Sequence, residues 1–284
     1  MGQWTVDGPI SLEFDQVTSV KVRTIGGSVA VLATEGTPSL EVEGVEGQPL
    51  EVTHDNGVLT ITHPNLSWDG LLKWLRPQRH SAVLTVRVPR TCTTELGVVS
   101  ASAVLSGITA RASVKSVTGS VTLDGVTGDM DVNTVSATVE AQALTGKLNF
   151  NTVSGDLTVA AGWLERMDGN TVNGDITADI DLDPLGGMQI SSVSGDVTLR
   201  LPAEADASVH LHSMSGDVRS EFDGLRRSSA PAARNVSGNL GSGSGHVSVT
   251  SVSGRVMLLR RAPGDTVPGK PVPGKDEQME GDAS

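Results

Sequence analysis

Between residues 96 and 260 short apolar runs alternate with small polar residues, and the runs recur. The clearest is Thr152-Val153-Ser154-Gly155-Asp156-Leu157-Thr158-Val159. Its alternation predicts a strand, with Val153, Leu157 and Val159 inward and Thr152, Ser154, Asp156 and Thr158 outward. The Ser-Gly pair predicts a corner, where glycine accepts an unusual backbone angle. The phrase returns around Gly119, Ala137, Gly155, Gly174, Gly195, Gly216, Gly238 and Gly254, at steps of 18, 18, 19, 21, 21, 22 and 16 residues. Eighteen residues before Val153, Leu157 and Val159 stand Val135, Val139 and Ala141. Eighteen earlier stand Val117, Val121 and Leu123, and then Val99, Ala103 and Leu105. The early coils have a second half, GVTGDMDV at 125–132 and ALTGKLNF at 143–150. A period near twenty without helical spacing predicts an all-β, parallel β-solenoid over 96–260, with coils of 18–22 residues stacked in sequence order. The expected type is the right-handed β-helix. The left-handed hexapeptide type fits less well, because the six-residue aliphatic step from Val159 lands on Glu165.

Residues 1–95 read as a separate N-terminal β region. Leu50 to Thr53 and Val58 to Thr62 flank Asp55-Asn56-Gly57, a tight hairpin turn. The insertion at 65–80, NLSWDGLLKWLRPQRH, differs in character. Trp68, Leu71, Leu72, Trp74 and Leu75 share a helical face, which Pro77 ends, and Lys73, Arg76 and Arg79 make it basic. Two readings compete for it: a lid over the open solenoid end, or a docking element for a partner, centred on Trp68, Leu71, Lys73 and Trp74. Residues 261–284, rich in Pro, Gly and charge, read as a disordered tail.

Composition narrows the function. Aromatics are 2% of the chain with no Tyr, which disfavours a groove for sugars or bases. The net charge of −12 repels nucleic acid. No apolar run is long enough to span a membrane, and the start MGQWTVDGPI lacks a signal-peptide pattern, so the expected location is cytoplasmic. Cys92 is the only cysteine and reads as a small core residue.

Two ladders stand out. Asn133, Asn151 and Asn170 each precede the Thr-Val of a repeat, and their stacked amides would bond to one another. Asp156, Asp175, Asp196 and Asp217 follow the corner glycine in four repeats. In register, they form either a solvated acidic row or a weak calcium site. No other cofactor is expected. His210, His212 and His246 approach the late coils without an evident third ligand, and no paired catalytic carboxylates occur.

VRTIGGSVAVLA at 22–33, LTVRVP at 84–89 and the TVSGDLTV and SVSGDVTL units resemble the bacterial DUF4097 proteins, known as "putative adhesins" with β-strand repeats, over roughly residues 10–260. The resemblance implies a β-solenoid with a variable N-terminal β region, no established catalytic residue, and roles linked to the cell envelope. Together these readings predict a non-catalytic scaffold or interaction module with a protein partner. The alternatives are a carbohydrate-active β-helix enzyme and a self-associating filament protein.

Overall fold

In the computed structural model, which describes residues 2–64, 80–230 and 233–262, every regular element is a β-strand. The repeats form layers. Each layer has a first half-strand, a corner, and a second half-strand, and each half pairs in parallel with the matching half of its neighbour. Ser120–Asp124 pairs with Thr138–Gln142, placing Val121 on Val139 and Leu123 on Ala141. Thr127–Thr134 pairs with Thr145–Thr152, placing Met130 on Leu148 and Val132 on Phe150. The two stacks of half-strands share one interior of Val, Leu, Ile, Ala, Met and Phe. β-Branched and small aliphatic side chains fill a narrow core that each layer rebuilds.

Parallel stacking starts earlier than residue 96. Ser19–Ala33 is a complete layer, paired in parallel along Thr93–Ser106. Beyond it, Val58–Thr62 and Ser81–Val88 supply the two halves of a further layer. Antiparallel strands then cover this end. Leu50–Asp55 and Gly2–Val6 add to one stack, and Ser39–Glu46 and Ile10–Glu13 to the other. The Asp55-Asn56-Gly57 hairpin forms, with Asn56 and Gly57 at φ 49° and 77°, as a two-residue turn requires. Short antiparallel strands thus close the stack edge that an open solenoid would expose. Trp68, Leu71, Lys73 and Trp74 lie outside the described residues, as do residues 263–284.

The late layers do not follow sequence order. The layer of Gly187–Ser192 and Val197–Leu201 is not followed by Ala207–Ser213 and Val218–Ser220. Between them lies the C-terminal coil, Gly245–Ser251 and Val256–Arg260, paired in parallel with both neighbours. Its corner amides bond to each side: Val252 N donates to Ser192 O at 3.2 Å, and Met214 N to Ser251 O at 3.0 Å. The last sequence repeat is therefore an interior layer. The far end of the first stack is closed by Ala233–Leu240, antiparallel to Ala207–Ser213, and then by Arg226–Ala230. Arg261, expected at the head of a disordered tail, belongs to the folded body. It is buried, its Nε donates to Asp179 Oδ1 at 2.9 Å, and its Nη1 bonds Asp181.

The corners depart from simple alternation. Val135, Val153, Val172, Val193 and Val252 point outward, and the residue before each is buried: Thr134, Thr152, Thr171, Ser192 and Ser251. The inward assignment of Val135 and Val153 is thus corrected. The cause is the backbone. A turning chain leaves the glycine N–H inside, and a buried hydroxyl satisfies it. Gly155 N donates to Thr152 Oγ1 at 2.8 Å, Gly174 N to Thr171 Oγ1 at 2.7 Å, and Gly254 N to Ser251 Oγ at 2.9 Å. A buried donor without a partner costs about 1–3 kcal/mol, so the hydroxyl outcompetes valine for the inner position. The corner glycines are also there for a different reason than expected. Those at 155, 174, 195, 216 and 254 have no positive φ. A Cβ on any of them would overlap the carbonyl oxygen of the adjoining layer's corner.

Candidate interaction surface

The corner edge carries the outward-turned aliphatic residues in a line. In spatial order they are Val135, Val153, Val172, Val193, Val252 and Met214, each between 42% and 57% exposed. Neighbours are one layer apart, so the ridge runs about 24 Å at roughly 4.8 Å per step. Single exposed aliphatics are ordinary on protein surfaces, but a contiguous line of them is not. Beside it runs a polar row, Ser136, Ser154, Asn173, Ser194, Ser253 and Ser215. Several of these hydroxyls bond back to the neighbouring layer's carbonyl, such as Ser253 Oγ to Val193 O at 3.1 Å. The ridge is therefore held rigid by its own backbone.

Next to the polar row stands the aspartate row. Asp156, Asp175 and Asp196 occupy successive layers, but Arg255 of the C-terminal coil follows, and Asp217 lies beyond it. The expected run of four neighbouring carboxylates is thereby broken. The first three carboxylates each accept the next layer's amide: Asp175 N donates to Asp156 Oδ1 at 2.9 Å, Asp196 N to Asp175 Oδ1 at 2.8 Å, and Arg255 N to Asp196 Oδ1 at 2.8 Å. The row thus satisfies corner donors that the ladder leaves over. The Arg255 guanidinium holds the Asp196 carboxyl below the usual range, and Arg219 does the same to Asp217. Among the described residues no group of three or more His, Cys, Asp or Glu is arranged to hold a metal ion.

The outer face of the first stack is polar. Asn151 Nδ2 donates to Asn133 Oδ1 at 3.2 Å, and Asn170 Nδ2 to Asn151 Oδ1 at 3.0 Å. Beside this ladder a shallow depression of about 560 Å³ is lined by Arg111, Asp129, Asp131, Lys147, Arg166 and Asp168, among others. Its charges are largely matched internally. Arg111 Nη2 reaches Asp131 at 2.8 Å, and Arg166 Nε reaches Asp168 at 2.6 Å. Hydrogen bonds from Arg111, then Asn149, lower the Asp131 pKa. At the far end the rings of His210 and His246 lie 6.0 Å apart, while His212 bonds Asn235. Cys92 is buried, and burial pushes its thiol up to about 11, leaving it without thiolate character.

His63 carries no motif or spacing that marks it in the sequence. It extends the row of inward corner residues beyond Thr24, is 1% exposed, and neither ring nitrogen has a hydrogen-bond partner among the described residues. Burial, then the nearby His80, lowers its pKa from 6.5 to about 4. The folded state therefore favours the neutral ring. That contribution is complete above pH 6.5 and is lost progressively as pH falls toward 4, on the order of 3 kcal/mol in all. The expected result is a stability drop over that window, which His63→Leu flattens relative to wild type. Urea titrations of both chains from pH 7 to 4 measure it, and parallel curves would contradict the assignment.

A match over residues 33–259 to the family model named Toastrack DUF4097 decides the kinship. The chain belongs to the Toastrack DUF4097 family. Solved structures similar to this Toastrack chain include one from Parabacteroides distasonis named a "putative lipid binding protein". It is 14% identical, with a TM-score of 0.45, over 88% of this chain and 96% of that one. Another from Parabacteroides distasonis, a "putative adhesin", is 11% identical, with a TM-score of 0.44, over 90% and 99%. A "putative adhesin" from Bacteroides fragilis is 10% identical, with a TM-score of 0.38, over 91% and 97%. No curated protein matches the chain. Among the described residues no helix is long and apolar enough to cross a membrane.

Proposed function

We propose that this Toastrack chain is a non-catalytic interaction module that docks an elongated protein partner along its corner edge. The observation that carries this is the exposed ridge from Val135 to Met214. It is apolar, straight and rigid, and the aspartate row flanks it, so the fitting partner presents an aliphatic or aromatic stripe bordered by Lys or Arg. The polar depression on the first face is shallow, and most of its charges are matched within the chain, which suits a rim better than a reaction centre. The coils wind right-handed in this reading, the norm for parallel crossovers.

The test replaces Val153 and Val193 together with Asp. Both side chains already face solvent, so the melting temperature is expected to hold. Partners captured from the native cell by the parent chain are expected to be lost. W68A/W74A serves as the comparison. If that pair abolishes capture while V153D/V193D leaves it intact, recognition belongs to the 65–80 insertion and the ridge reading fails.

A further inference from the structure

The C-terminal coil occupies a slot that its sequence neighbours do not form. Residues 245–261 pair with the layer of 187–201 on one side and with that of 207–220 on the other. They form no ladder with Ala233–Leu240, the strand that precedes them. The two flanking layers likewise form no ladder with each other, so the slot is one full layer deep. Its walls present free β edges on both stacks, together with corner carbonyls that want the intervening amides. Val247, Val249, Val256 and Leu258 fill its interior, all fully buried. Two charged latches fix the coil to the earlier layers. Arg255 forks onto Asp196 at 2.6 and 2.9 Å, and Arg261 reaches Asp179 and Asp181.

The unit is joined to the strand before it by residues 241–244, Gly-Ser-Gly-Ser, with Gly241 and Gly243 at φ 57° and 81°. Asp206 folds the link into a turn by accepting Gly243 N at 2.6 Å and Ser244 N at 3.0 Å. Opening it breaks those few bonds, and an extended four-residue link reaches about 13 Å. An element with its own complete contact set, a short hinge and a slot of matching shape is what exchange between identical chains requires.

We infer that residues 245–261 are an exchangeable donor coil: a second copy of this chain fills the slot with its own coil, giving a dimer in which two coils are swapped. Every contact inside the slot is the same in either arrangement. The balance is then set by hinge opening and chain concentration. This does not rest on the corner-edge reading, since the slot lies inside the stack.

Ser194 and Ser253 sit at equivalent corner positions on adjoining layers, close enough for a disulfide if both become cysteine. Full-length chains carrying S194C alone and S253C alone, with different tags, are unfolded together, refolded and oxidised with diamide. The expected product is a heterodimer joined between the two engineered positions, identified by peptide mass. Its share should rise with chain concentration during refolding. Co-expression of the two chains in one cell supplies the same readout without refolding. A chain carrying both substitutions is the geometric control. If that control closes its own disulfide while both mixtures give only monomers without the S194C–S253C link, the exchange is overturned.

Discussion

A chain ending at Ser244 is expected not to fold, whereas one ending at Ala262 keeps every contact described above. In a solenoid stacked in sequence order, losing the last repeat removes one end layer and subtracts roughly one repeat's stability. Here the last repeat is an interior layer. Its removal exposes the edges of Gly187–Leu201 and of Ala207–Ser220 at once, and detaches the 207–240 cap from the body. Four fully buried aliphatics, Val247, Val249, Val256 and Leu258, leave with it. At about 1.5–3 kcal/mol each they alone match the whole stability of a typical domain, about 5–15 kcal/mol. Asp181, which is buried, also loses Arg261, and breaking a buried ion pair costs a further ~3–5 kcal/mol, while Asp179 keeps Arg200 at 3.1 Å. Far-ultraviolet circular dichroism and urea unfolding of the two truncations measure the contrast. A cooperative transition for the chain ending at Ser244, close to that of the parent, would show that the 207–220 layer closes the gap by itself.

That gap explains what the sequence hid. The period, the register of Val121 on Val139 on Leu157, the Asn ladder and the Asn56-Gly57 hairpin all follow from local spacing, and local spacing is what a repeat displays. Layer order is a different kind of information. SMSGDV at 213–218 and SVSGRV at 251–256 carry the same corner chemistry, so either could follow SVSGDV at 192–197. Only long-range features separate them, such as Arg255 meeting Asp196 and Arg261 meeting the buried Asp181, and neither pairing has a sequence signature. The ridge was hidden for a related reason. Aliphatic residues in a strand read as core, but at the corner Thr152 takes the inside because it satisfies the Gly155 amide. The signal was present in the near-invariant Thr or Ser at that position. Its meaning depends on a hydrogen bond that alternation does not represent. The Trp68–Trp74 segment was conspicuous in sequence, but it lies outside the described residues.

The corner glycines lead to the second large effect, expected for Gly174→Ala. A single methyl group there would overlap the Gly155 carbonyl oxygen, and that oxygen belongs to backbone which cannot rotate away. Relief requires prying two layers apart, which strains the bonds that join them at this corner, Asn173 N to Val153 O at 2.9 Å and Asp175 N to Asp156 Oδ1 at 2.9 Å. Overpacking a well-packed interior typically costs about 1–3 kcal/mol, and an obstacle made of backbone, which no rotamer change relieves, places this substitution at or above the top of that range. Gly187→Ala is the matched control. Gly187 has no atom within 4 Å of an added Cβ and no positive φ, so its replacement is expected to be nearly neutral. The chain holds an internal comparison as well, because Ala137, like Ala101 two layers before it, stands where the later layers have glycine. Its neighbour toward the N-terminus, Gly119, adopts φ 107°, a shape the later corners do not share, so the local backbone differs where alanine is tolerated. If G174A and G187A unfold at the same urea concentration, close layer approach is not what selects glycine, and the corner glycines would need another explanation.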